Sequence, residues 1–315
     1  MKTTAALILL VFALLYVPTA HADTFGSGDN TFNIDFVTIG NPGNADDTDG
    51  VPDPAGKVEY SYRIGKFEIS EDIIDKANNE GQLYISQNNR GANKPATNVS
   101  WGESARFVNW LNTSTGSKEA YKFDGLGNFQ SWEPGDEGYN PNNRFRNSLA
   151  TYFLPSMDEW YKAAYYDPHK PGGPGYYAYA TGSDEPPTAV HNGTAADTAV
   201  YKFSGISPSG PADITLAGGL SPYGTMGQGG NVQEWEETDR YLGMGPTTYF
   251  RGVRGGYWNE EAAFNLSSSS RFNQWLANEN SDLGFRVASI IPEPSTLMLG
   301  ALASAGLMMW RRRLS

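Results

Sequence analysis

Residues 31–40 alternate apolar and polar positions through Phe32, Ile34 and Phe36, the two-residue period of a half-buried strand. A turn-rich, acidic run ends it, and alternation returns from Tyr60 to Ile69, predicting a second strand. Ser70 then offers a cap for free helix N–H groups, with Glu71 and Asp72 suited to the positive end of the dipole, so a short helix starts there. From Ser100 the period becomes helical. Trp101, Ala105, Val108 and Leu111 share a face, and Ser100 with Glu103 has capping-box spacing. Ser156 and Glu159 repeat that arrangement, with Met157, Trp160 and Ala164 on the apolar face. Between residues 168 and 222 the periodicity gives way to Gly, Pro, Ser, Thr and Ala, which predicts long ordered loops and short strands.

Both ends depart from this pattern. Met1 and Lys2, an apolar run from Ala5 to Val17 and the small-x-small triplet ending at Ala22 (Ala20, His21, Ala22) predict a signal peptide over 1–22 and a mature chain from Asp23. At the other end stand Pro292, Glu293 and Pro294, an apolar stretch from Thr296 to Trp310, and Arg311, Arg312 and Arg313. That stretch is shorter than the roughly 20 residues that cross a bilayer comfortably, although Trp310 and snorkelling arginines extend its reach. A short transmembrane helix with the arginines on the cytoplasmic side is expected. The three features in this order resemble the PEP-CTERM sorting signal. The resemblance implies an exosortase-type membrane protease as partner, cleavage near Pro292, Glu293 and Pro294, and delivery of residues 23–290 to the cell surface or extracellular matrix.

Charge and composition narrow what those residues can do. A net charge of −12 argues against a nucleic-acid groove. With 36 Gly and 19 Pro, long helices cannot dominate. The chain has no cysteine, hence no disulfide, no thiolate metal site and no thiol nucleophile. Asp47, Thr48, Asp49 and Gly50 resemble part of a calcium loop, but Ala45 and Gly56 stand where ligands are needed, so a solvated loop is expected. His169 and His191 lie in Gly/Pro-rich segments and read as loop histidines.

Four ordered segments resemble the formylglycine-generating-enzyme, or sulfatase-modifying-factor, family. They are Ile64 to Ser70; Pro95 to Trp101 with Ala105, Trp110 and Leu111; Leu154 to Ala164; and Tyr223-Gly224, Gly230 to Trp235, Arg254 to Trp258, Arg271 and Gly284-Phe285-Arg286. The fold implied is α+β with C-type-lectin-like topology: a twisted antiparallel sheet, a few short helices and much ordered loop. On chemistry alone, Trp101, Trp160, Trp235 and Trp258 are expected as buried anchors for loops. Arg254, Arg271 and Arg286 are expected to pair with buried carboxylates or carbonyls.

The resemblance further implies a calcium site made by the carbonyls of Gly230 and Val232 and the carboxylate of Glu234. Gly227 offers no side chain where the family has Asp or Asn, so a calcium ion and an ion-free capped turn both remain open. The family's oxidative chemistry uses a cysteine pair between the Arg-Gly-Gly and Gly-Phe-Arg segments. Here that stretch, Tyr257 to Leu283, has Glu260, Glu261, Asn265 and serines from Ser267 to Ser270 instead. None is a soft ligand for cuprous ion, so no copper and no formylglycine formation are expected, and no catalytic residue is assigned. Three functions stay in view. One is a non-catalytic surface or matrix component binding a glycan or protein at the loop face near residues 240–280. Another is an oxidoreductase with His and carboxylate metal ligands. The third is purely structural, a packing unit of the extracellular matrix.

Overall fold

The computed structural model describes residues 21–50, 54–202, 210–238 and 249–291. The expected signal segment up to Ala20 lies outside them, as do Pro292, Glu293, Pro294, the apolar stretch and Arg311, Arg312 and Arg313. In chain order the elements are β1 (His21–Phe25), β2 (Phe32–Ile39), β3 (Tyr62–Gly65), α1 (Glu71–Gly81), α2 (Trp101–Ser114), β4 (Lys122–Phe123), β5 (Phe129–Gln130), β6 (Tyr152–Phe153) and α3 (Met157–Tyr165). They continue with β7 (Tyr166–Asp167), β8 (Gly175–Tyr176), β9 (Thr188–Ala189), β10 (Thr198–Ala199), β11 (Gln233–Trp235), β12 (Phe250–Arg254), β13 (Phe272–Trp275), β14 (Leu283–Gly284) and β15 (Ala288–Ile290).

Two sheets frame the molecule. The larger is antiparallel in the order β1-β2-β3-β15-β6, so the last described strand lies inside it between β3 and β6. Alternation along β2 buries Phe32, Ile34 and Phe36 and exposes Asn33 and Asp35. Ile73, Ile74 and Ala77 of α1 and Phe107, Val108 and Leu111 of α2 belong to the same apolar core. The smaller sheet runs β13-β12-β11-β14, antiparallel except for the β11–β14 pair.

Each expected helix start is present. Ser70 accepts from the Ile73 N–H, and both capping boxes close reciprocally, Ser100 with Glu103 and Ser156 with Glu159. The second strand is shorter than the alternation suggests. After Gly65 the chain leaves the ladder: the Lys66 carbonyl accepts from Met226 N–H and the Ile69 N–H donates to Phe285, which swings Glu68 inward. The acidic turn is not simply solvated either. Tyr161 donates to Asp47 Oδ2 at 2.6 Å, and Gly50 packs so close to that phenol that a Cβ would lie 2.1 Å from its oxygen. Among the described residues no helix is long and apolar enough to cross a membrane.

Candidate functional site

Residues 226–237 run through the middle of the structure and bring the expected metal ligands and the expected arginines together. Asn231 adopts a left-handed φ of 62°, and Gly230 one of 91°, with a hypothetical Cβ only 2.4 Å from the Val200 carbonyl oxygen. Glycine is therefore required at 230 by backbone proximity as well as by φ. The loop is pinned on both sides, Gly230 N–H to Gly255, Asn231 N–H to Val200, and Trp258 N–H to the Asn231 carbonyl.

Glu234 is fully buried and already bonded. Arg286 approaches it bidentately, Nε to Oε2 and Nη2 to Oε1, each at 2.6 Å, and the Trp160 indole donates to Oε2 at 2.7 Å. The same guanidinium donates to the carbonyls of Gly65 and Met226, both at 2.8 Å. A calcium ion collects six to eight oxygens and is repelled by an adjacent cation. With both carboxylate oxygens held by Arg286, these residues do not fit a calcium ion that uses Glu234 as its anionic ligand.

The space beside Gly227 is taken by an unexpected group. A Cβ there would lie 3.0 Å from the carboxyl atoms of Glu68, which is 1% exposed and accepts from Asn231 Nδ2 at 2.8 and 3.1 Å. Burial, then the charge of Glu234, push the Glu68 carboxyl well above its ordinary range, against the opposing effect of Arg286 and Asn231. Two carboxyl groups thus lie in the field of one guanidinium, which bonds Glu234.

Two residues further, just past the end of β11, Glu236 reverses that ratio. Its Oε1 lies 3.1 Å from Arg254 Nε, and its Oε2 accepts from Arg271 Nε at 2.9 Å, with all three side chains enclosed. Gly252 allows this approach, since a Cβ would come within 2.1 Å of Glu236 and 2.3 Å of Arg271. Glu237, also buried, accepts from the Tyr121 hydroxyl at 2.8 Å and from Asn143 at 2.6 Å. The three arginines hence pair with carboxylates and carbonyls as expected. Glu236 and Glu237 escaped the sequence reading, because acids in a run resemble a solvated surface; the spacing of Arg254 and Arg271 was the one available signal. Trp101, Trp160 and Trp235 are fully enclosed, whereas Trp258 is only half-buried.

The stretch from Tyr257 to Leu283 contributes no reactive cluster. Glu260 is buried and accepts from Asn265, while adjacent Glu261 is exposed. The carbonyls of Ser268 and Ser270 serve Arg254. What this stretch does give the surface is the end of β13, where Trp275 and Leu276 join Tyr249, the start of α2 and the β4–β5 hairpin around an open groove of about 680 Å3.

The sulfatase-modifying factor enzyme 1-like domain matches residues 43–291, and the PEP-CTERM protein-sorting motif matches residues 291–313. No curated protein matches the chain. Among solved structures, Treponema denticola variable protein 1 is similar with a TM-score of 0.57 and 20% identity, over 87% of this chain and 100% of that one. CarF gives 0.56 and 24% over 82% and 98%, and PvdO from Pseudomonas aeruginosa 0.52 and 14% over 85% and 98%. At these identities the likeness is one of fold, and it is the α+β, loop-rich fold expected from the motifs. The sorting motif marks the protein for export and delivery to the cell surface through exosortase. The chain therefore belongs to the sulfatase-modifying factor enzyme 1-like family, in an exported form sorted by a PEP-CTERM signal.

Proposed function

We propose that the domain is a binding module that holds a ligand at the cell surface without transforming it. One observation carries this reading: the segment that bears the thiol pair in relatives has none here, and its exposed contribution is an aromatic wall of a groove. The rival oxidoreductase needs gathered ligands, and among the described residues no group of three or more His, Asp or Glu side chains is arranged to hold a metal. His169 is exposed, and Glu260 and Glu261 diverge. Arg286 does for the Gly230–Glu234 loop what calcium would otherwise do, so chelation should leave the melting temperature unchanged.

The test is to offer the purified chain material from the surface of producing cells, and separately thiol peptides with dioxygen and copper or iron. Saturable binding with no turnover supports the module. Metal-dependent product formation would defeat it. Export by the signal over residues 1–22, and a membrane stage through Thr296 to Trp310 before exosortase acts, complete the proposed route.

A further inference from the structure

The groove at the end of β13 has a chemistry of its own. Tyr249 is 62% and Trp275 55% exposed, an unusual display for such large rings. Their centroids lie 6.2 Å apart, and Trp275 is backed by Phe250 at 4.5 Å across the β12–β13 pair. The platform is clamped by backbone bonds, Leu276 N–H to the Tyr249 carbonyl at 2.9 Å and Trp101 N–H to the Leu276 carbonyl at 3.1 Å. A ligand therefore meets rings already fixed in place.

The α2 and β4–β5 side of the lining is mixed, with polar side chains beside Phe123 and Phe129. Arg106 is exposed on α2, with its guanidinium 6.0 Å from the Phe123 ring, and among the described residues no carboxylate pairs with it. Asn128 and Gln130 each donate their amide N–H to Asp124, at 3.1 and 3.3 Å, which leaves the two amide oxygens free to accept beside the exposed Asp124 carboxylate that also lines the groove. The groove thus offers apolar faces and, beside them, separate donors and acceptors.

This pattern selects among ligands. A purely apolar guest would strip water from Arg106, Asn128 and Gln130 without replacing it, at about 1–3 kcal/mol for each unpaired group. A peptide adding to the sheet would need the free edge of β13, but of that strand only Trp275 lines the groove. A pyranose ring matches this mixture, since it has a face of C–H bonds and a rim of hydroxyls that both donate and accept. We propose that this groove is an oligosaccharide subsite, with a sugar ring stacked on Trp275 and Tyr249 and its hydroxyls met by Arg106, Asn128 and Gln130. The proposal rests on the binding-module reading and gives it a ligand class.

Two measurements on the full chain decide it. The first is titration with gluco-oligosaccharides and galacturono-oligosaccharides, following tryptophan fluorescence. Saturable binding to either series is expected, weakened at least about tenfold by Trp275→Ala, as for a central aromatic contact, and clearly by Arg106→Gln. Both side chains are exposed, so unchanged melting temperatures will certify the variants, and Tyr249→Ala serves as an independent one. The second uses producing-cell surface material treated either with periodate, which cleaves sugar diols, or with protease. Loss after periodate and retention after protease support the proposal. The reverse identifies a protein partner and overturns the sugar assignment while leaving the binding module intact. Sugar binding indifferent to Trp275→Ala overturns the site, and no binding to any material removes the module itself.

Discussion

At the scale of single residues, the interior is governed by how carboxylates are shared among guanidinium groups. Glu68 is the member with the weakest claim to a charge. Because its folded form holds a proton more tightly than the unfolded chain does, folding takes up that proton and stability falls as pH rises above the ordinary carboxylate range. Asp158 adds to the same trend, its carboxyl pushed up to about 6 by burial. Glu68→Gln keeps an acceptor for Asn231 and removes the titration. Its melting temperature should match or exceed that of the unmodified chain at about pH 8, and the decline between about pH 5 and about pH 8 should flatten without vanishing. Glu234→Gln has the opposite consequence, since Arg286 keeps its charge in a dry site with its anion gone. A loss of about 3–5 kcal/mol in denaturant unfolding is expected. Sequence alone identified Glu234 and Arg286 but could not pair them, because the partners lie 52 positions apart and meet only after the sheets assemble.

At the scale of elements, what was legible is what is local. The starts at Ser70, Ser100 and Ser156 depend on residues three positions apart, and all three helices form where their caps stand. Ser100→Ala should cost about 1 kcal/mol in thermal or chemical unfolding, through loss of the hydroxyl that binds the Glu103 N–H. Strand β3 was overestimated for a physical reason. The alternation from Lys66 to Ile69 serves to bury Glu68 and Ile69, and apart from the Lys66 N–H, which still donates to Asp35 of β2, its backbone bonds go to Met226, Phe285 and Ala96. The four-stranded sheet was hidden altogether, since β11 pairs in parallel with β14 some fifty positions later through a two-residue register, Gln233 to Leu283 and Glu234 to Gly284. So short a pairing leaves no period to read. The groove escaped for the same reason, being made from four separate segments of the chain.

At the scale of the whole molecule, the globular domain and the sorting motif meet at Ile291. Pro292→Ala, Glu293→Ala and Pro294→Ala together should leave the melting temperature of the domain unchanged and prevent surface delivery. Fractionation of an exosortase-bearing host, with the variant retained in the membrane fraction, checks this. The address begins directly after β15, a strand held from both flanks, by β3 through Ala288, Ser289 and Ile290 and by β6 through Ala288 and Ser289. Hydrogen bonds in antiparallel pairs lie across the strand direction. Tension applied at the carboxyl end, as by shear flow on a tethered cell, therefore pulls β15 lengthwise and loads both rows of bonds at once instead of peeling them one by one. Wherever the chain is held by this end, its place inside the sheet lets β15 resist a lengthwise pull with both rows of bonds.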